Sequence, residues 1–284
     1  TSKYGGPEYE TIGASGPSCG VGDLKAIAKF HQICGEHVVD TISVGMTIAF
    51  AMECFEHGIL TSRDTDGIEL RFGSSEALLQ MTEKIVRREG FGDILALGAE
   101  RAAQKIGRGA ERFVLTVKKQ ELPMHEPRGK QGLALAYATA PAGADHMRAP
   151  HDPVYEGFHP KGAHALEPLG LAEALPRLEL SPRKVRAFMY ANHWWALCSC
   201  VGVCHLAASP IDAVGLTLVT NAMRAVTGWD TSLWELVKVG ERAKALSRAF
   251  NCREGFTPKD DRLPPRLHEA FADGPLQGVR IDPE

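Results

Sequence analysis

Asp40-Thr41-Ile42-Ser43-Val44-Gly45-Met46-Thr47-Ile48-Ala49-Phe50-Ala51-Met52-Glu53-Cys54-Phe55-Glu56-His57-Gly58 is the stretch on which the fold turns. Ile42, Val44, Met46, Ile48, Phe50, Met52 and Phe55 leave it almost no polar face, so a helix here must be covered on nearly every side. Other helices are the natural cover, which makes this segment the core of a helical domain.

The flanks supply those helices. Upstream, the turn-rich Gly16-Pro17-Ser18-Cys19-Gly20-Val21-Gly22 leads to Asp23, which can cap a helix carrying Leu24, Ile27, Ala28 and Phe30. Downstream, Ser74 or Ser75 starts an amphipathic helix with Leu78, Met81, Ile85 and Val86 on one face, finishing on Arg87-Arg88 with Gly90 as its stop. Residues 92–106 repeat the device, ending at Gly107, and only Phe113-Val114-Leu115-Thr116-Val117 reads as a strand. From about residue 119 to 181, Pro, Gly and His are frequent and periodicity is poor; a loop-rich insertion of that size tends to be functional.

Pro182 begins a helix carrying Val185, Phe188, Met189, Trp194, Trp195 and Leu197. A strongly apolar helix is expected over 210–227, and Ser232-Leu233-Trp234-Glu235 has capping-box spacing before another. The tail 250–284, rich in Pro and charge, is expected to wrap a surface or an interface. The fold class is therefore mostly α: two helical lobes, 1–165 and 166–284, with a loop-rich insertion near their boundary.

Composition narrows the function. With 44% hydrophobic and 24% charged residues in 284, the chain has an ordinary globular balance. Its 32 basic and 35 acidic residues are spread without blocks, so no electrostatic footprint for nucleic acid or an anionic membrane is present. No apolar run approaches the roughly 18–20 residues of a membrane helix, and no charged-then-apolar leader opens the chain. Seven cysteines, an odd number irregularly spaced, suit reduced thiols, and a cytoplasmic location is expected. The start on Thr1 is expected to mark a piece cut from something longer.

Three constellations could carry chemistry. Glu8 and Glu10 alternate around Tyr9, so in an extended segment they face the same way; either one is a proton carrier in a dry pocket or both are solvated charges. His125 and His146 lie in or beside the insertion among Pro and Gly, without companions at metal spacing, and read as pocket acids or bases or as structural histidines. Cys198-Ser199-Cys200-Val201-Gly202-Val203-Cys204-His205 packs four possible ligands into eight residues. It reads as a zinc module, as buried inert thiols, or as a source of one ligand to an iron–sulfur cluster completed from elsewhere.

Several segments form a recognisable series: Pro7-Glu8-Tyr9-Glu10-Thr11, Gly16-Pro17-Ser18-Cys19-Gly20, Asp40-Thr41-Ile42-Ser43-Val44-Gly45 and Gly90-Phe91-Gly92-Asp93-Ile94-Leu95. It continues through Glu121-Leu122-Pro123-Met124-His125-Glu126-Pro127-Arg128-Gly129, Gly143-Ala144-Asp145-His146 and Asn251-Cys252-Arg253-Glu254-Gly255-Phe256. In this order, along the whole chain, they resemble the C-terminal two domains of the aldehyde:ferredoxin oxidoreductase family, tungsten-pterin enzymes that oxidise aldehydes to carboxylic acids.

The resemblance implies that Glu10, next to Tyr9, is the proton-handling glutamate and His146 the active-site histidine. It implies a 4Fe-4S cluster held by a Cys-x-x-Cys-x-x-x-Cys group plus a distant cysteine followed by a basic residue. Gly202-Val203-Cys204-His205 resembles that last position, with Cys204 as the ligand and His205 replacing the usual lysine. The family's paired pterin motifs, Asp-x-x-Gly-Leu-(Asp or Cys), correspond to Gly35–Asp40 and Ser199–Cys204. Both leading aspartates are replaced, by Gly35 and Ser199, while Asp40 remains in the first motif, and the second keeps Gly202 and Cys204 with Val203 in the leucine position.

The expected complete protein binds tungsten, or molybdenum, on two pterins, acts on an aldehyde and passes electrons to ferredoxin. Neither the family's N-terminal domain nor its three-cysteine group lies in this sequence, so the chain alone is expected to be inactive and to hold neither cofactor. The contrasting expectation is a non-catalytic helical scaffold or electron-transfer accessory that has lost the cofactor.

Overall fold

A computed structural model describes residues 3–156, 165–211 and 213–282. It is mostly helical and divides into two compact units: Thr1–His125 with Ala142–Ala144, and Glu126–Pro141 with Asp145–Glu284.

In the first unit, helices α1 (Tyr9–Ser15), α2 (Leu24–His37), α3 (Thr41–Glu56), α4 (Ser75–Arg87), α5 (Phe91–Leu95) and α6 (Ala99–Ile106) precede a short antiparallel pair, β1 (Thr116–Val117) and β2 (Gln120–Glu121). As expected, α3 is central, packing on α1, α4, α6 and β2 with Ile48, Ala51, Met52 and Cys54 fully buried. Gly45 lets α1 lie directly on it, since a Cβ there would come within 2.8 Å of the Ala14 backbone. The expected caps form: Asp23 accepts from Lys25 N, and Ser74 from Ala77 N.

Three local expectations are corrected. The residue that ends α4 in the left-handed conformation is Arg88 (φ 56°); Gly90 instead leads into α5, where its missing side chain makes room for the Asp66 carboxylate, which accepts from Phe91 N at 2.8 Å. The continuous helix over 92–106 is broken at Gly98 (φ 85°), and the break is held because the buried Glu121 carboxylate accepts from Ala99 N (2.8 Å) and the Thr47 hydroxyl (3.1 Å). The strand over 113–117 shrinks to Thr116–Val117, since Ala110–Phe113 coils into a 3-10 turn.

In the second unit, α7 (Gln131–Thr139), α8 (Pro182–Val201), α9 (Leu216–Thr227) and α10 (Leu233–Arg253) are the long elements. Helices α8 and α10 pack side by side, and Gly240 makes the approach possible: a Cβ there would overlap the His193 carbonyl. Trp194, Trp195, Leu197 and Cys198 fill the core behind α8. The Ser232 capping box forms as its spacing requires, and Ser181 caps α8.

The insertion is less irregular than expected, because it contains α7, and α9 starts at Leu216 rather than at residue 210, since Ala208 and Val214 are tied in a bridge. Part of the insertion, 157–164, lies outside the described residues. One fully buried ion pair fixes this region. Asp152 Oδ1 accepts from Lys184 Nζ (2.6 Å) and Gly132 N (2.9 Å), and Oδ2 from Leu133 N (3.1 Å), while Lys184 also donates to Pro176 O (2.8 Å). A carboxylate reaching back twenty residues thus supplies the cap that the start of α7 lacks locally.

Candidate active site

Pro7 and Glu8 stay extended, and the helix begins at Tyr9, with Glu8 as its N-cap. The two glutamates therefore do not alternate on a strand, which corrects the expectation from their spacing. Glu8 and Tyr9 are exposed, Tyr9 by 61%, whereas Glu10 is only 8% exposed. Burial sorts the pair as no spacing rule could.

Glu10 is bound to the segment that follows β2. Its Oε2 accepts from Met124 N at 2.8 Å, and Oε1 lies 3.2 Å from His125 Nε2. Tyr9 completes the arrangement: its hydroxyl donates to Met124 O (2.8 Å) and its ring stacks on His125 at 5.1 Å. Gly13, one turn on, leaves room for the Met124 side chain. Glu10 is thus buried beside a histidine, with an exposed tyrosine stacked on that histidine's ring. His125, which has no companion in the sequence nearby, finds one 115 residues away.

Elsewhere in the first unit, Asp40 lines a cleft with Ser43, Thr47, Val86, Arg88 and Ala96. One carboxylate oxygen, Oδ2, caps α3 by accepting from Ser43 N (2.7 Å), and the side chain is exposed. This corner therefore offers a carboxylate acceptor to a ligand.

In the second unit His146 is half-buried in the turn after residue 144, and its carbonyl accepts from His151 Nε2 at 2.8 Å. Lys130 Nζ, 3.4 Å from His151 Nδ1, selects the tautomer of His151 that carries its proton on Nε2. The cysteine segment straddles the end of α8. Cys198 is fully buried and its thiol is pushed up to about 12 by desolvation, as are Cys19, Cys34 and Cys54, so these four behave as inert packing groups. Cys200 and Cys204 are exposed.

Gly202, left-handed at φ 77°, ends the helix, and the Gly202 and Val203 amides both bond to Cys198 O, which turns Cys204 outward. Among the described residues, Cys198, Cys200, Cys204 and His205 do not converge on a common metal position, which removes the zinc module. The physical reason is helical geometry: residues 198 and 200 point to nearly opposite sides of α8. His205 is occupied as well, stacking on Trp195 at 5.0 Å with Nε2 3.0 Å from Trp195 O, and burial lowers its pKa.

These residues fit two of the groups discussed above and fail a third. Cys204, exposed and unbridged, is available as a thiolate ligand to a cluster, and Asp40 can accept from the N–H edge of a pterin. The Ser199 corner does not fit such an edge. Its hydroxyl contacts Trp195 O (3.4 Å) and His205 Nε2 (3.1 Å), and the cavity beside it is lined by Arg148, Lys244 and Trp195 with no carboxylate.

The active site complex BamBC of benzoyl coenzyme A reductase in complex with 1,5 dienoyl-CoA shares the fold at a TM-score of 0.70 and 24% identity, over 90% of this chain and 42% of that one. The family model described as aldehyde ferredoxin oxidoreductase, domains 2 and 3, matches residues 1–284, and the chain belongs to that family. Tungsten-containing aldehyde ferredoxin oxidoreductases of Pyrococcus horikoshii and Pyrococcus abyssi are each 36% identical to it over 280 residues, 96% of this chain. The chain spans 43% of the length of these relatives.

Sequence reasoning missed Glu121, the Asp152–Lys184 pair, and the cations Arg148 and Lys244. Glu121, Asp152 and Lys184 carry no local signal, because each acquires its role from a partner far along the chain.

Proposed function

We propose that the chain is the C-terminal part of a tungsten-pterin oxidoreductase that oxidises aldehydes to carboxylic acids and passes electrons through a 4Fe-4S cluster to ferredoxin in the cytoplasm. Family membership and the names of the relatives support the reaction class. The observation that carries it is Glu10, buried in hydrogen-bond contact with Met124 N and beside His125 under an exposed tyrosine.

When bound, the tungsten centre supplies the two-electron chemistry and the cluster relays electrons singly. This chain's residues do the rest. Glu10 holds a proton at its carboxylate and exchanges it with His125 Nε2, 3.2 Å away. Tyr9, bonded to Met124 O, limits water access to that pair. His146, its main chain fixed by His151, is a second proton-handling group, and Cys204 offers the thiolate for the cluster. Asp40 holds a pterin edge in the first unit; Gly202 and Val203 set the turn that presents Cys204. An N-terminal domain contributes the remaining three cluster cysteines.

The second reading, a helical scaffold without the cofactor, is favoured by one observation, the carboxylate-free corner at Ser199. The two are separated by measuring W, Mo and Fe in the complete protein together with aldehyde-dependent reduction of ferredoxin. Tungsten, about four irons and turnover support the enzyme; a folded protein with no metal and no turnover supports the scaffold. In the active protein, His146→Ala is expected to lower turnover by about a hundredfold or more, and unchanged turnover removes His146 from the mechanism.

A further inference from the structure

The second unit contains a cavity between α8 and α10, closed on one side by Pro141, Met147 and Arg148. Its polar lining consists of the side chains of Arg148, Trp195, Ser199, Cys200, His205 and Lys244, with Ser247 at the edge. Two of these are cations and none is a carboxylate.

The two cations differ in what they already hold. Arg148 Nε lies 2.8 Å from Asp145 Oδ2, and Arg148 O accepts from Asn192 Nδ2 (2.9 Å), so both its charge and its backbone are fixed. Lys244, half-buried on α10, makes no hydrogen bond or ion pair among the described residues. Burial, and then the neighbouring Arg148, push its pKa down to about 8, with Asp145 opposing. A sequestered ammonium without a partner is a costly arrangement, and an anion beside it would remove the cost.

Trp195 supplies a second, independent observation. It is 2% exposed and lines the cavity, and its indole Nε1–H is buried with no acceptor. Buried donors in native proteins nearly always have an acceptor, so an orphan at the wall of a cavity points to a ligand that provides one. The adjacent hydroxyl does not satisfy it, because Ser199 is engaged with Trp195 O and His205.

A cavity lined by two cations, an unpaired indole N–H and no carboxylate selects an acceptor-rich, negatively charged guest. We propose that this cavity is a binding site for a small oxyanion, a carboxylate or a phosphate, held by Lys244 and Arg148 and by the indole N–H of Trp195. The proposal stands whether or not the complete protein oxidises aldehydes.

The binding carries a proton signature. The charged groups facing Lys244 are Arg148 and Asp145 from the segment before α8, His205 from the turn after it and, more remotely, His193 from α8. Of these and Lys244, the lysine is the one whose proton is lost near pH 8 in the empty cavity. Oxyanion binding restores the ammonium, so binding is accompanied by proton uptake above that pH and weakens as pH rises.

The test is calorimetric titration of the complete protein with inorganic phosphate and, separately, with acetate, at about pH 7 and about pH 9.5, in buffers of different ionisation enthalpy. Saturable binding of either anion, at least about tenfold weaker in Lys244→Gln, retained in Lys244→Arg, and with proton uptake at the higher pH, is expected. Phosphate alone, acetate alone, or both identify which oxyanion chemistry the cavity serves. Trp195→Phe keeps the ring and removes the donor, and is expected to weaken binding severalfold. Absence of binding by both anions at about 10 mM, well above a useful affinity, would overturn the proposal. So would affinity unchanged in Lys244→Gln when Lys244→Arg is equally folded.

Discussion

Two buried carboxylates, one in each unit, are held in opposite ways. Asp152 is fully buried, and three donors, Lys184 Nζ and the Gly132 and Leu133 amides, converge on it. It joins the starts of α7 and α8. Glu10 is also buried, but it accepts from one backbone amide, Met124 N, and lies 3.2 Å from the His125 imidazole, beside a tyrosine that is 61% exposed. Asp152 is saturated by permanent donors, whereas Glu10 has one oxygen on a backbone amide and the other 3.2 Å from an imidazole nitrogen, and the proposed function assigns the exchange of a proton to that second contact.

The largest expected effect is at Lys184. Lys184→Met leaves Asp152 buried without its counter-charge and is expected to cost about 3–5 kcal/mol in chemical denaturation of the second unit. A loss under about 1 kcal/mol would mean that Asp152 is satisfied without the lysine and that the two carboxylates are not opposites. Ser232→Ala removes a helix cap at an exposed site and is expected to cost about 1 kcal/mol, a reference for an ordinary local bond read in the same unfolding transition.

The smallest effect is a pH slope from Lys244. Its folded pKa, about 8, lies below the ordinary value of 10.5, so between those limits the unfolded chain binds more protons than the folded one. Stability contributed by this group therefore rises as pH increases through that window, and the rise is expected to vanish in Lys244→Gln. A slope that persists in the variant assigns it to another group.

What could be read in the sequence was what local chemistry decides. The all-apolar α3 declared itself the centre of its unit, and Asp23, Ser74 and Ser232 each cap the helix that follows them, because a cap needs only three residues in the right order. Features decided at long range were not legible. Helix α7 has no local cap and little amphipathicity, and its start depends on Asp152. The division at Gly98 depends on Glu121, on a different element. At the candidate site, Glu10 was distinguishable by its place in a familiar segment, but the reason it differs from Glu8, burial against Met124 and His125, exists only in three dimensions. The thiols divide the same way: Cys198 and Cys204 look alike in sequence, and the helix end at Gly202 buries one and exposes the other.

The claim that Glu10 is a proton-handling group is tested most directly by Glu10→Gln in the complete protein, with turnover, metal content and folding measured on the same preparation. Glutamine keeps an acceptor for Met124 N, so stability is expected to change by less than about 1 kcal/mol and metal content to stay the same. Aldehyde-dependent turnover is expected to fall by about a hundredfold or more. Turnover equal to that of the unaltered protein would contradict the account and leave Glu10 as structural as Asp152.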